Sequence, residues 1–172
     1  MLHKNELLDY ITRWSAPYSP IFPLELEEKD LEMKTLAQRM TPDDFKVFID
    51  TMNELTIDSD EHFNFMAFAF YYIQTNADTL YTELTSLLKE NGPQNIIDLI
   101  SFTKKPEGYT DLVQRVHYNR LDRETKFSFI DAFDILKSIG AIPFLNDLKQ
   151  QETDDELLQE IDLVIGNLNR QR

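Results

Sequence analysis

The chain has no cysteine, only four glycines and a single tryptophan in 172 residues. The missing thiol excludes disulfides, thiolate nucleophiles and zinc-thiolate centres, and it suits a reducing compartment. Scarce glycine leaves few places for sharp turns, and no glycine-rich loop precedes a helix, so phosphate cradling of the P-loop or dinucleotide kind is excluded. The three histidines, His3, His62 and His117, stand in neither a His-x-x-x-His nor a Glu-x-x-His arrangement. A zincin helix and a di-iron bundle site are therefore absent. Asp58-Ser59-Asp60 opens like a calcium loop, but the sixth position is Phe63 where glycine is required and the twelfth is Ala69 where the closing acid belongs. No metal or cofactor is expected. No apolar run approaches the ~20 residues needed to cross a bilayer, because the longest uncharged stretch is interrupted by Asn64 and Gln74.

Positive charge is the other shortage. Seventeen basic residues face thirty-one acidic ones, a net charge of -14. The excess is uneven: residues 1–100 carry -11, residues 101–140 carry +1, and residues 141–172 carry -4. A field of that sign repels phosphate backbones and anionic lipid and favours cationic partners. Solubility accounts for the same excess without any partner. The basic run Lys104, Lys105, Arg115, Arg120, Arg123 and Lys126 is the one candidate for an anionic ligand. Glu107, Asp111, Asp122 and Glu124 dilute it, so nucleic-acid binding is not expected there. Glu6 and Asp9 near the start are unlike a signal peptide, which leads to the expectation of a cytoplasmic protein.

Helical periodicity fills the rest of the chain. Leu7, Leu8, Ile11 and Trp14 give a cap helix, and Pro17, Pro20 and Pro23 give an extended strap, so residues 1–24 read as an N-terminal appendage to a single domain spanning 1–172. Met33, Leu36, Ala37 and Met40 mark a helix over 25–40 whose outer face and first turns hold Glu25, Glu27, Glu28, Asp30 and Glu32. Thr41-Pro42-Asp43-Asp44 starts another, with Phe45, Phe48, Ile49 and Met52 at helical spacing. Residues 62–77 read as a central helix with two apolar stripes, Phe63, Met66, Ala67, Phe70 and Phe65, Phe68, Ala69, Tyr72, both wanting burial. Further helices are predicted from Ala77 to a stop at Asn91-Gly92, from Pro93, from Tyr109, from Glu124 to Ile139 closed by Gly140, and around Pro143. A last one follows a capping box at Thr153-Asp154-Asp155-Glu156.

About ten short antiparallel helices with no strand-like alternation make an all-α protein. A shift of about 45 residues lays Leu84 on Phe129, Leu88 on Phe133, Ile97 on Ile142, Leu112 on Leu157 and Val116 on Ile161, a period of the HEAT and armadillo kind. The stretch from Ala132 to Leu145, a helix ending Ile-Gly followed by Ala-Ile-Pro-Phe-Leu, resembles the junction between successive HEAT-like repeats. That resemblance implies a HEAT/armadillo-like α-solenoid; an irregular helical bundle is the alternative.

No catalytic constellation emerges, and the chain is not read as an enzyme. In size, acidity, absence of cysteine and absence of chemistry it resembles a bacterial immunity protein of the contact-dependent growth inhibition type. The resemblance implies a non-catalytic acidic protein that binds and occludes the active site of a basic nuclease toxin. The residues expected to touch such a partner are Asp58, Asp60 and Glu61, then Glu152, Asp154, Asp155 and Glu156, with the acids of residues 25–32 in reserve. Tyr71 and Tyr72, or Tyr81, are the expected aromatic anchors. A helical-repeat adaptor for a peptide or protein complex is the competing reading, and an enzyme of unrecognised type a third.

Overall fold

The computed structural model describes residues 2–16, 24–57, 59–89 and 93–171, with the side chains of Leu24 and Glu25 outside the description. The Pro17 to Pro23 strap, Asp58 and the stop expected at Asn91-Gly92 lie outside the described residues. Among those described, the chain is all-α: ten α-helices and three 3-10 turns, with no strand. No helix among them is long and apolar enough to cross a membrane. Read from sequence as one domain, the chain gathers its contacts into two compact units, residues 1–80 and 81–172.

The first unit contains α1 (Lys4–Trp14), α2 (Leu24–Arg39), α3 (Phe45–Met52) and α4 (Asp60–Thr75). Here α4 packs on α2 and α1, and α1 on α3. The stripe Phe65, Phe68, Ala69 and Tyr72 is fully buried. Phe48 of α3 sits in its middle, 4.8 Å from Phe65 and 4.9 Å from Tyr72 between ring centroids, while Trp14 of α1 meets Phe68 at 5.6 Å. Such ring clusters dominate core energetics through the area they bury. The second predicted stripe is not enclosed alike: Met66, Ala67 and Phe70 are half-buried and Phe63 is 73% exposed.

A polar clamp holds the corner between α2 and α3. The Thr41 N–H donates to the Asp44 carboxylate at 2.9 Å, and so does the Leu2 N–H at 2.7 Å. Burial pushes the Asp44 carboxyl up, but the Thr41 and Leu2 donors outweigh it and hold it below the ordinary value. The Tyr72 hydroxyl donates to the Thr41 carbonyl at 2.8 Å, tying α4 to the same corner.

The second unit follows from α5 (Ala77–Leu87), in which the boundary falls. It holds α6 (Gln94–Phe102), α7 (Glu107–Arg115), α8 (Arg123–Ile135), α9 (Ile142–Lys149) and α10 (Asp155–Arg170). Alternate helices stack here, α6 on α8 and α8 on α10, with α7 touching α6 and α8 and α9 touching α10. Phe129 and Phe133 of α8 pack edge to face at 5.1 Å, and Phe144 of α9 lies within 6.2 Å of both. Gly108 in the first turn of α7 permits a close approach, since a Cβ there would stand 3.1 Å from Leu136.

Several helix ends differ from the sequence reading. Helix α4 runs Asp60–Thr75 and not 62–77, α5 ends at Leu87, short of Asn91-Gly92, and α7 starts at Glu107 and not Tyr109. The ends of α8 and α10 have clear causes. Helix α8 stops at Ile135 instead of running to Ile139, because Lys137 turns into the left-handed region at φ 53. The Ser138 N–H then reaches the Phe133 carbonyl and the Lys137 N–H the Asp134 carbonyl, so the turn that glycine ordinarily makes is made by lysine. At α10 the expected capping box moves by one residue: Asp154 is the cap and accepts from the Glu156 and Leu157 N–H groups, which frees the Glu156 carboxylate for another partner.

Candidate partner-binding surfaces

The acidic corner before α10 is built around Glu152, whose side chain is 6% exposed. Its carboxylate accepts from Tyr118 Oη at 2.7 Å, Lys126 Nζ at 2.9 Å, and the N–H groups of Thr153 and Asp154 at 2.8 and 3.1 Å. Burial pushes Glu152 up, but Lys126, Tyr118 and the two backbone donors overcome it and hold the carboxyl at about 2. Tyr118 in turn is pushed well above the ordinary phenol range by burial and by Glu152. Two and four residues beyond Glu152, Asp154 and Glu156 share the Arg123 guanidinium, with Nε to Asp154 at 2.8 Å and a terminal nitrogen to Glu156 at 2.5 Å. The Arg123 bond leads the contacts that lower Asp154.

Three of the four acids expected here to meet a partner are therefore bound to cations of their own unit, and they brace the α9–α10 loop against α8 and the turn at Tyr118–Arg120. Asp155 is exposed and has no ion pair among the described residues. The cations came from the basic run read in the sequence as a candidate anion site. Arg115 is engaged as well, with Asp111 at 3.1 Å and the Thr85 carbonyl at 3.1 Å. Separations of 26 to 33 residues joining Lys126 and Arg123 to their acids leave no local signal for such pairing.

In the first unit the acids are disposed differently. Residues 1–80 hold fifteen acidic and six basic residues, against sixteen and eleven in 81–172. Asp60 and Glu61 occupy the first turn of α4 behind the Ser59 cap, where they complement the helix dipole. Glu27 and Glu28 on α2 are exposed with no ion pair among the described residues. Asp30 is shared by Lys34 and the Tyr71 hydroxyl, and those bonds, Lys34 first, lower its carboxyl. Glu32 takes Arg13 and the Trp14 indole N–H, the latter at 2.8 Å.

The aromatic anchors fare unequally. Tyr72 has 0% exposure and belongs to the core, so an interface role is not one its position offers. Tyr71 is half-buried, with Lys34 Nζ 5.1 Å from its ring centre. Tyr81 donates to Asp111, and burial raises its phenol.

A carboxylate seam that sequence reading missed lies on α6, α8 and α10. Asp131 is an exposed residue whose carboxyl is raised by desolvation against the helices beside it and by a hydrogen bond with Glu160, with Asp98 and Asp134 adding like charge. Asp98 is pushed up to about 6 by burial, which a Ser128 hydrogen bond offsets in part. Asp134 accepts from Asn167 at 2.5 Å. The acids lie about thirty residues apart in sequence, so only the stacking of alternate helices brings them together. Among the described residues no group of three or more His, Cys, Asp or Glu side chains is placed to hold a metal ion. No protein-family model, curated protein or solved structure matches the chain.

Proposed function

We propose that the chain is a non-catalytic acidic binding protein, an immunity protein that binds and occludes the active site of a basic nuclease toxin in the cytoplasm. The observation that carries this reading is the unneutralised acid of residues 1–80. Glu27, Glu28 and Asp60 stand exposed on α2 and α4 with no ion pair among the described residues, in a unit of net charge -9. Such a surface steers a cationic cleft toward itself and keeps nucleic acid away. The partner surface expected from sequence at Glu152, Asp154 and Glu156 is the weaker candidate, because a partner's cations would have to displace Arg123 and Lys126.

The test is purification of the complex with the product of the adjacent reading frame, followed by a nuclease assay. The expected result is stoichiometric inhibition that weakens as salt is raised from 50 to 500 mM. Inhibition indifferent to salt and to charge reversal at Glu27, Glu28 and Asp60 contradicts the mechanism. A second reading, a HEAT-like adaptor, is favoured by the alternate stacking of α6, α8 and α10, the arrangement that repeat units adopt when each buries its neighbour's face. Binding of many extended peptides in place of one folded partner supports that reading instead.

A further inference from the structure

Phe63 is the most exposed large apolar side chain among the described residues, at 73%. Helical spacing sets it on one face of α4 with Asp60 before it and Ala67 and Phe70 after it. Asp60 is exposed, Ala67 and Phe70 are half-buried, and Ile57 in the turn before the helix is 52% exposed. The backbone that carries Phe63 is held firmly. The next residue, Asn64, donates its amide to the Asp60 carbonyl at 2.7 Å and to the Ser15 hydroxyl at 3.2 Å, and Phe65 after it is fully buried against Phe48. A ring left in water on a fixed backbone forgoes one of the largest burial gains a side chain offers, and it reaches a partner with little ordering left to lose.

Charge decides what can cover that ring. Asp60 and Glu61 lie in the same turn with no ion pair among the described residues, in a unit of net charge -9. Such a field repels anionic lipid, nucleic acid and a second copy of this chain alike, and it draws a positively charged protein surface. We infer that Phe63 is the aromatic anchor of the acidic face: it enters an apolar pocket on a basic protein partner, whose lysine or arginine rim meets Asp60 and Glu61. Phe63 thus takes the role that sequence assigned to Tyr72, which the core has absorbed. The inference rests on the acidic binding reading above and names the side chain on which its affinity turns.

The first probe is the adjacent-frame toxin. Phe63→Ser should weaken its binding about thirtyfold with the unfolding midpoint unchanged, and Phe63→Tyr should keep most of the affinity. Leu163→Ser, at an exposed leucine of α10, should change neither. The second probe is a set of short peptides, lysine–leucine, lysine–serine and glutamate–leucine, followed by amide chemical shifts. The lysine–leucine peptide should shift the amides from Asp60 to Ala67 and lose that effect in Phe63→Ser. The lysine–serine peptide should bind more weakly and be indifferent to Phe63→Ser, and the glutamate–leucine peptide should not bind. Toxin binding that depends on Glu27 and Glu28 but not on Phe63 overturns the anchor and leaves the function standing. An adjacent product that fails to bind, beside a lysine–leucine peptide that binds through Phe63, overturns the function and leaves the anchor standing. Equal shifts from the glutamate–leucine peptide, or binding to phosphatidylcholine vesicles that Phe63→Ser abolishes, overturns the assignment of a basic protein partner.

Discussion

The two units carry similar numbers of acids, fifteen and sixteen, but six basic residues serve the first and eleven the second. Between 81 and 172 the acids around α8 and the α9–α10 loop are engaged in structure, Glu152 with Lys126 and Tyr118, Asp154 and Glu156 with Arg123, Asp111 with Arg115, while Asp155 stays unpaired among the described residues. Between 1 and 80, Asp30, Glu32, Asp50 and Glu54 are similarly occupied, but Glu27, Glu28 and Asp60 have no cation among the described residues. An acidic cluster in sequence is therefore a poor guide to an acidic surface. What decides is whether the fold brings cations to it, and the lower supply of Lys and Arg in the first unit leaves it with charge to present outward.

The largest effect that could break this contrast is at Glu152. Replacing it by alanine leaves Lys126 and two backbone N–H groups without their acceptor, and should cost about 3 kcal/mol in thermal or urea unfolding. A loss below 0.5 kcal/mol would mean that the corner is a loose surface after all.

The pH dependence sharpens the contrast next, since two acids of the second unit pull in opposite directions. Asp98, raised from 3.8 to about 6, binds a proton more tightly folded than unfolded, so its contribution is present at low pH and lost as pH rises through about 6. Glu152, lowered from 4.5 to about 2, contributes fully above 4.5 and loses that contribution as pH falls toward 2. Unfolding measured from pH 3 to 8 should show these two contributions summing to a maximum near pH 4. Asp98→Asn should flatten the upper side and Glu152→Gln the lower.

Arg123→Ala should cost less stability than Glu152→Ala in the same unfolding measurement, because its two pairs are partly exposed and a solvated pair is worth little. Smallest of all, Glu27→Gln and Glu28→Gln should leave stability within about 0.5 kcal/mol of the parent, as expected of acids that hold nothing in place. A larger loss at either would move them into the class of Glu152.

Much of the fold is legible in the sequence for local reasons. Periodic apolar positions from Leu7 to Trp14, Phe45 to Met52 and Leu157 to Leu168 place helices where they occur, while the cap of α4, open in sequence among Asp58, Ser59 and Asp60, is Ser59. What escapes is non-local or energetically balanced. Lys137 adopts a backbone conformation that costs lysine more than glycine, so α8 was expected to run on to Gly140. Phe63 has the spacing of a core residue, yet α4 packs its neighbours on the face of Phe65 and Tyr72. The candidate site was legible as charge and not as availability: Glu156 and Asp155 read alike in sequence, and only the position of Arg123 separates them.

The most direct test of the central claim is the affinity for the adjacent-frame toxin of two equally folded variants, Glu27→Lys with Glu28→Lys, and Asp154→Asn with Glu156→Gln. The account predicts a loss of tenfold or more for the first pair, with unfolding unchanged, and for the second a loss of stability with affinity retained. The reverse pattern, with affinity lost at Asp154 and Glu156 and kept at Glu27 and Glu28, would contradict it.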